Sequence, residues 1–197
     1  GLDARSELFI GMSPYVWADF GRDEEESIGD VVVGFRQRVQ EQTSRRPSLA
    51  VQVAAKLPTA DEDDGIGTGE PDLFLAGIAS WSESEWGATA FAQAGLLGEQ
   101  DERHDVDGQF VLALAGSHSL DEVRRDVSAF GEIAEVWIPD RDVDQTLLTL
   151  GATWAWMPGR VFDVGVAFGL SDDAPDAVLL FGITTGLGAL GPRAANR

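Results

Sequence analysis

The chain has 197 residues, 44% of them hydrophobic, with 14 basic against 34 acidic residues and a formal charge of -20. That length fits one domain or one closed sheet, and so acidic a balance excludes a nucleic-acid surface and a Lys/Arg-based lipid-binding face. With no cysteine there are no disulfides, thiolate metal sites or cysteine nucleophiles; no apolar run is long enough for a spanning helix, a test that says nothing against spanning strands of about ten residues.

Arg5 to Trp17 is the first predicted strand, with Leu8, Ile10 and Met12 on one side and Glu7, Phe9 and Gly11 on the other. A period of two marks a strand lying between two different surroundings. Asp19 to Ser27 reads as an acidic loop, and Ile28 to Gln40 as a second strand, Val31, Val33 and Phe35 against Val32, Gly34 and Arg36. After a polar turn, Ser48 to Leu57 alternates strictly: Leu49, Val51, Val53, Ala55 and Leu57 oppose Ser48, Ala50, Gln52, Ala54 and Lys56. Pro58-Thr59 ends that run, an acidic glycine-containing loop reaches Glu70, and Asp72 to Trp81 resumes as a strand.

Ser82-Glu83-Ser84 predicts a tight reversal into Glu85 to Leu97, where the Ala content tolerates a helix but the glycines favour a strand. A charged loop leads to Val106 to Ser117, with Phe110, Leu112 and Leu114 opposite Gln109, Val111 and Ala113. Ser119 to Asp126 predicts a turn with at most one helical turn, Ser119 capping and Glu122 three residues on. Val127 to Ile138 is the least regular strand; Val143 to Met157 is long, with Leu148, Leu150, Trp154 and Trp156 away from Gln145, Thr149 and Thr153. Met157-Pro158-Gly159-Arg160 is a compact reversal, Phe162, Val164, Val166 and Phe168 alternate with Asp163, Gly165 and Ala167, and Ala177 to Gly188 is the last strand.

These ten strands are joined by two classes of connection. Those around Arg22, Asp63, Glu102, Asp140 and Asp173 hold clustered acids, while those around Thr43, Glu83, Glu122 and Gly159 are mostly shorter. In an up-and-down meander alternate connections emerge at opposite rims, and long loops at one rim with short turns at the other are the asymmetry of an outer-membrane barrel. Tyr15, Trp17, Trp81, Trp86, Trp137, Trp154 and Trp156 fall near strand ends, where two interfacial aromatic belts would lie. Closure removes open sheet edges, and in lipid it is compulsory. The expected fold is therefore all-β, an antiparallel up-and-down transmembrane-type barrel.

At Lys56-Leu57-Pro58-Thr59, followed by Gly65-Ile66-Gly67-Thr68-Gly69-Glu70-Pro71-Asp72, the chain resembles the bacterial outer-membrane proteins described as "putative MetA-pathway of phenol degradation". That pattern ends a strand in Lys-Leu/Phe-Pro-Thr-Gly, ends the loop in Gly-Thr/Ser-Gly and opens the next strand with Asp; Ala60 stands here in place of the glycine. Ile28-Gly29-Asp30, Pro47-Ser48-Leu49-Ala50, Leu150-Gly151 before Trp154, and Arg160-Val161-Phe162-Asp163-Val164-Gly165 are also similar. The resemblance implies a barrel of about twelve strands that passes hydrophobic or aromatic compounds across the bacterial outer membrane, with no catalytic residues. It also implies that one barrel domain spans residues 1–190, that a leading strand pair precedes it, and that 191–197 is a tail lacking the family's closing aromatic residue.

Other chemistry weighs less. His104 and His118 are separated by a strand's length, too far for one metal site. Asp61, Asp63 and Asp64 offer oxygens for a hard cation, but not with the spacing of a calcium loop; a solvated rim loop is the ordinary reading. Gly65, Gly67 and Gly69 lack the strand-helix context and lysine of a phosphate loop, no Gly-x-Ser-x-Gly elbow occurs, and no cofactor is indicated. Glu132 and Glu135 fall on opposite strand faces.

The candidate lumen and solute-path residues are the polar members of alternating strands: Gln52, Lys56, Asp72, Gln93, Gln109, Gln145, Thr149 and Asp163. Lys56 can pair with Asp72 or orient an anionic or phenolic solute. The leading expectation is a non-enzymatic outer-membrane channel for small hydrophobic or aromatic molecules, in contact with outer-membrane lipid. A structural barrel with ion- or partner-binding acidic loops, and a soluble ligand-binding barrel, remain as alternatives.

Overall fold

The computed structural model describes residues 3, 5–12, 29–59, 69–98, 106–120 and 126–186, together with the backbone of 16–19 and 24–27. The acidic loop holding Asp61, Asp63 and Asp64, as well as Tyr15, His104, Glu122 and the tail 191–197, lie outside the described residues.

The elements are β1 (Ser6–Met12), β2 (Val16–Asp19), β3 (Glu24–Ser27), β4 (Val31–Gln40), β5 (Ser48–Leu57), β6 (Asp72–Glu83) and β7 (Trp86–Leu97). They continue as β8 (Asp107–Ser119), β9 (Val127–Ile138), β10 (Val143–Met157), β11 (Arg160–Gly169) and β12 (Ala177–Thr185). A 3-10 turn at Pro139–Arg141 is the only helical element among the described residues. All pairings are antiparallel, in the order β1-β4-β5-β6-β7-β8-β9-β10-β11-β12-β2-β3. Because β1 runs into β2 and β3 into β4, the twelve segments make ten legs, and the sheet curls until Ala177 to Leu180 of β12 pair with Val16 to Asp19 of β2.

One segment differs from the sequence expectation: Glu24–Ser27, read as loop, is a strand paired with β2. Glutamates have little intrinsic preference for strands, but a neighbouring strand supplies backbone partners that override it. Strand β9 is a regular twelve-residue element after all.

Turn chemistry follows the residues. Pro158-Gly159 joins β10 to β11 with Gly159 at φ +76°, the Pro-Gly order of a type II turn. Ser84-Glu85 joins β6 to β7, with Ser84 left-handed at φ 52°.

The register divides the wall into two faces. Leu8, Ile10, Val53, Leu73, Leu112 and Leu114 point outward and are exposed, Ile10 by 78% and Leu114 by 64%. The inward face holds the buried Ala54, Ala76, Ala113 and Ala167. Outward aromatics gather at two levels. Trp81, Trp86, Trp154 and Trp156 lie near the short-turn rim, Phe110, Trp137 and Phe168 near the long-loop rim. Trp86 stacks on His118 with centroids 4.2 Å apart, and the Arg160 guanidinium sits 5.8 Å from the Trp156 ring. From Phe110 to His118 the strand covers roughly 26 Å, or about 20 Å of height at the usual barrel tilt, close to the apolar band of an outer-membrane barrel.

Candidate functional site

Side chains that share the inner face form rows running around the wall from strand to strand. One row is Arg36-Gln52-Ala76-Gln93-Val111-Val136-Gln145. The next, two residues nearer the short-turn rim, is Ala50-Ile78-Phe91-Ala113-Ala134-Leu147. Below it runs Ser48-Ser80-Thr89-Ala115-Glu132-Thr149-Ala167. From Ala50 on β5 to Leu147 on β10 the middle row is apolar, with Arg38 beside Ala50 at its β4 end; those on either side carry hydrogen-bonding groups, and the Ser80 and Thr89 hydroxyls lie 3.2 Å apart.

At the long-loop end, Lys56 Nζ is 2.6 Å from Asp72 and 3.2 Å from Asp30. Each carboxylate also accepts a loop N–H: Asp30 from Thr59 at 2.8 Å, Asp72 from Gly98 at 3.0 Å. Asp72 is 2% exposed. Its charge is sustained by the ammonium and the backbone donor, as a buried carboxylate requires. Asp107, also buried, pairs with Arg141 of the 3-10 turn. These pairs tie the starts of the loops after β5 and β7 to the wall.

Nearer the other end, Arg36 is held from three sides. Its Nε and Nη2 donate to Gln52 Oε1 at 3.0 and 2.7 Å, Nη1 lies 3.3 Å from Glu7, and the guanidinium sits 5.4 Å from the Phe9 ring centroid. A recess of about 280 Å³ opens beside it, lined by Arg5, Glu7, Arg36, Arg38, Ser48 and Ser80 among others. Asp3 at its edge accepts the N–H groups of Arg5 and Ser6, both at 2.7 Å, and the Arg5 bond first among these holds its carboxyl below the ordinary range.

Three inward phenylalanines lie over glycines of the adjoining strand: Phe9 on Gly34, Phe74 on Gly95 and Phe130 on Gly151. Side chains would collide at those glycines, so each ring lies flat on the backbone and leaves room within the barrel. The Asp163 carboxylate occupies the space over Gly182 in the same way.

All eight candidate lumen residues share the inner face by register, but they do not form one cluster. Gln52 is engaged by Arg36, Lys56 and Asp72 pair, and Gln145 is drawn to the long-loop rim, where its Nε2 donates to the Asp173 carbonyl at 2.8 Å. Gln93 and Gln109 lie on β7 and β8, Thr149 is buried beside Glu132, and Asp163 faces Thr153 across β10 and β11. Sequence reasoning omitted Glu7, Arg36, Arg38 and Glu132 from the inner set. The signal was present: Arg36 shares a parity with Val32 and Gly34, and Glu132 with Phe130. Glu135 points outward and accepts from the Thr146 hydroxyl at 2.8 Å. Among the described residues no group of three or more His, Asp or Glu side chains is arranged to hold a metal.

Comparison with known proteins places this geometry. The family model "Putative MetA-pathway of phenol degradation" matches residues 4–185. The chain belongs to this family. Its fold is similar to the crystal structure of an outer-membrane channel from Pseudomonas putida F1, with a TM-score of 0.62 over 94% of this chain and 97% of that one, at 11% identity. No curated protein matches in sequence. Family, fold and the apolar outer wall together put the chain among the outer-membrane β-barrels.

Proposed function

We propose that this chain is a non-enzymatic channel of the bacterial outer membrane that passes small hydrophobic or aromatic molecules, phenols among them, through the barrel. The observation that carries the reading is the banded inner wall. The apolar row through Ile78, Phe91 and Leu147 runs between rows that present Gln52 and Gln93 on one side and Ser80, Thr89 and Thr149 on the other. Rows two residues apart are roughly 6.7 Å apart along the strand, a gap that a phenol bridges when its ring rests on one row and its hydroxyl hydrogen-bonds to a group of the next. A ring can lie on the apolar band while its hydroxyl meets a neighbouring polar row, which serves a solute with one greasy and one polar end.

The family description, which names phenol degradation, and the channel from Pseudomonas putida F1 support the same reading. In this orientation the long acidic connections face outward from the cell and the short turns face the periplasm, the usual loop asymmetry of such barrels. The eight candidate lumen residues then border the path: Gln52, Gln93, Gln109 and Thr149 as hydrogen-bonding groups, Lys56, Asp72 and Gln145 near the outer mouth, and Asp163 nearer the periplasmic end. Liposomes carrying the protein should admit a phenolic solute faster than empty liposomes of the same lipid; equal rates would refute transport and favour a purely structural barrel.

A further inference from the structure

Two pairs of inward side chains stand next to each other where β5 meets β6, near the short-turn rim. Ser48 lies opposite Ser80, and Ala50 lies opposite Ile78, the next inward pair along the same strands. Thr89 continues the hydroxyl row on β7, while Arg38 on β4 and Phe91 on β7 flank the apolar pair. The 280 Å³ recess beside Arg36 is lined by both pairs and by Arg38. One part of it is therefore apolar and the part beside that is built of hydroxyls.

Those hydroxyls are already oriented. Ser48 Oγ donates to the Gln40 carbonyl at 3.2 Å, which leaves its oxygen to accept. Ser80 and Thr89 share one proton across their 3.2 Å contact, and with Thr89 as donor the Ser80 O–H is left to donate into the gap. Facing residues of neighbouring strands have Cβ atoms about 5 Å apart, a gap that one oxygen bridges at about 2.7–2.8 Å from each hydroxyl. Such an oxygen must accept from Ser80 and donate to Ser48, and each bond in the chain polarises the next.

The setting is fixed and carries charges of both signs. Gln42 Nε2 donates to the Ser82 carbonyl at 2.7 Å and its Oε1 accepts the Ser82 N–H at 2.9 Å, which binds the turn after β4 to the end of β6. Glu7 lies 3.3 Å from Arg36, Glu41 lies 3.3 Å from Arg5, and Asp3 stands at the edge. Arg5, Arg36 and Arg38 are thus matched in number by Asp3, Glu7 and Glu41, and the recess has no net charge with which to draw in an ion.

We propose that this recess is a binding station for a neutral aromatic molecule bearing a hydroxyl group: the ring rests on Ala50 and Ile78, and the hydroxyl inserts between Ser80 and Ser48. The inference rests on the channel reading, which brings the solute into the lumen, and adds to it a place and a selection rule. A plain hydrocarbon ring leaves the two serines unbridged. A methyl ether accepts from Ser80 and has no proton for Ser48, and an aromatic carboxylate lacks that proton and meets Glu7 and Asp3 as well.

Fluorine NMR titrations of the full chain in lipid nanodiscs test this, with empty nanodiscs as the reference for partition into lipid. 4-Fluorophenol should bind saturably, and 4-fluoroanisole about fivefold more weakly, the worth of one hydrogen bond. Ser48→Ala should weaken 4-fluorophenol about fivefold and abolish its preference over 4-fluoroanisole. Ser48→Thr, which keeps the hydroxyl, should retain that preference, and Thr146→Ala on the outer wall should leave it unchanged. Gel mobility of the unheated protein checks that each variant is folded. Equal binding of phenol and ether, a preference that survives Ser48→Ala, tighter binding of 4-fluorobenzoate, or no binding above empty nanodiscs each refutes the station. Phenol flux into liposomes separates that failure from failure of the channel. Flux without saturable binding overturns the station alone, whereas saturable, Ser48-dependent binding without flux overturns the channel and leaves a barrel that binds without passing.

Discussion

Replacing Lys56 by Met removes the one ammonium between Asp30 and Asp72, at 3.2 and 2.6 Å, and leaves a carboxylate that is 2% exposed facing an apolar side chain. Breaking a buried ion pair from one side costs about 3–5 kcal/mol. Two features reduce that figure here. Asp72 keeps its bond from the Gly98 N–H, and the Lys56 side chain is 15% exposed, so water reaches the pair. A loss of about 3 kcal/mol is expected, roughly a hundredfold in the folded-to-unfolded ratio. The assay is urea-induced unfolding of the barrel in lipid vesicles, followed by tryptophan fluorescence and by the gel mobility of the unheated protein. Lys56→Met/Asp72→Asn should recover part of the loss, since removing the second charge relieves the first. A single variant within about 0.5 kcal/mol of wild type would show that the pair does not hold this end of the barrel together.

Other outcomes follow from the two faces. A side chain added at Gly95 would put its Cβ 2.7 Å from Phe74 Cδ1, whereas Gly77 has nothing within 4 Å; Gly95→Val should cost about 1–3 kcal/mol in the same unfolding assay and Gly77→Ala almost nothing. Leu114, 64% exposed on the outer wall, should cost about 2–4 kcal/mol as Leu114→Arg in lipid, while Gln93→Arg on the inner face of β7 folds with a far smaller loss. Asp3 titrates below the ordinary 3.8 in the folded chain because it accepts the Arg5 and Ser6 N–H groups. Its contribution is therefore complete above the unfolded value and lost as pH falls through the lowered one, and exchange protection of the Ser6 amide should fade over that acidic range, and not in Asp3→Asn.

Alternation alone makes most of the legs and their two faces readable in the sequence. Strict period-two runs such as Leu49 to Leu57 admit one assignment of sides, because a slip of one residue would turn every leucine and valine inward. Pro158-Gly159 announced its turn through residues that few other conformations suit. The same rule separates Glu132 from Glu135, three apart and so on opposite faces. Where alternation is weak the reading failed: Glu24–Ser27 has the composition of a loop and became a strand only because β2 offers it backbone partners.

What residue order by itself determined was local: which stretches extend, which side of each is greasy, and that acids crowd alternate connections. Partnership across the wall was decided by tertiary structure. That Lys56 meets Asp30 as well as Asp72, and that Arg36 is held by Glu7 and Gln52, depend on register and on which strands the fold makes neighbours. Hydrophobic periodicity acts along one strand and is blind to these, because it assigns a side chain to a face without saying which distant side chain shares its level.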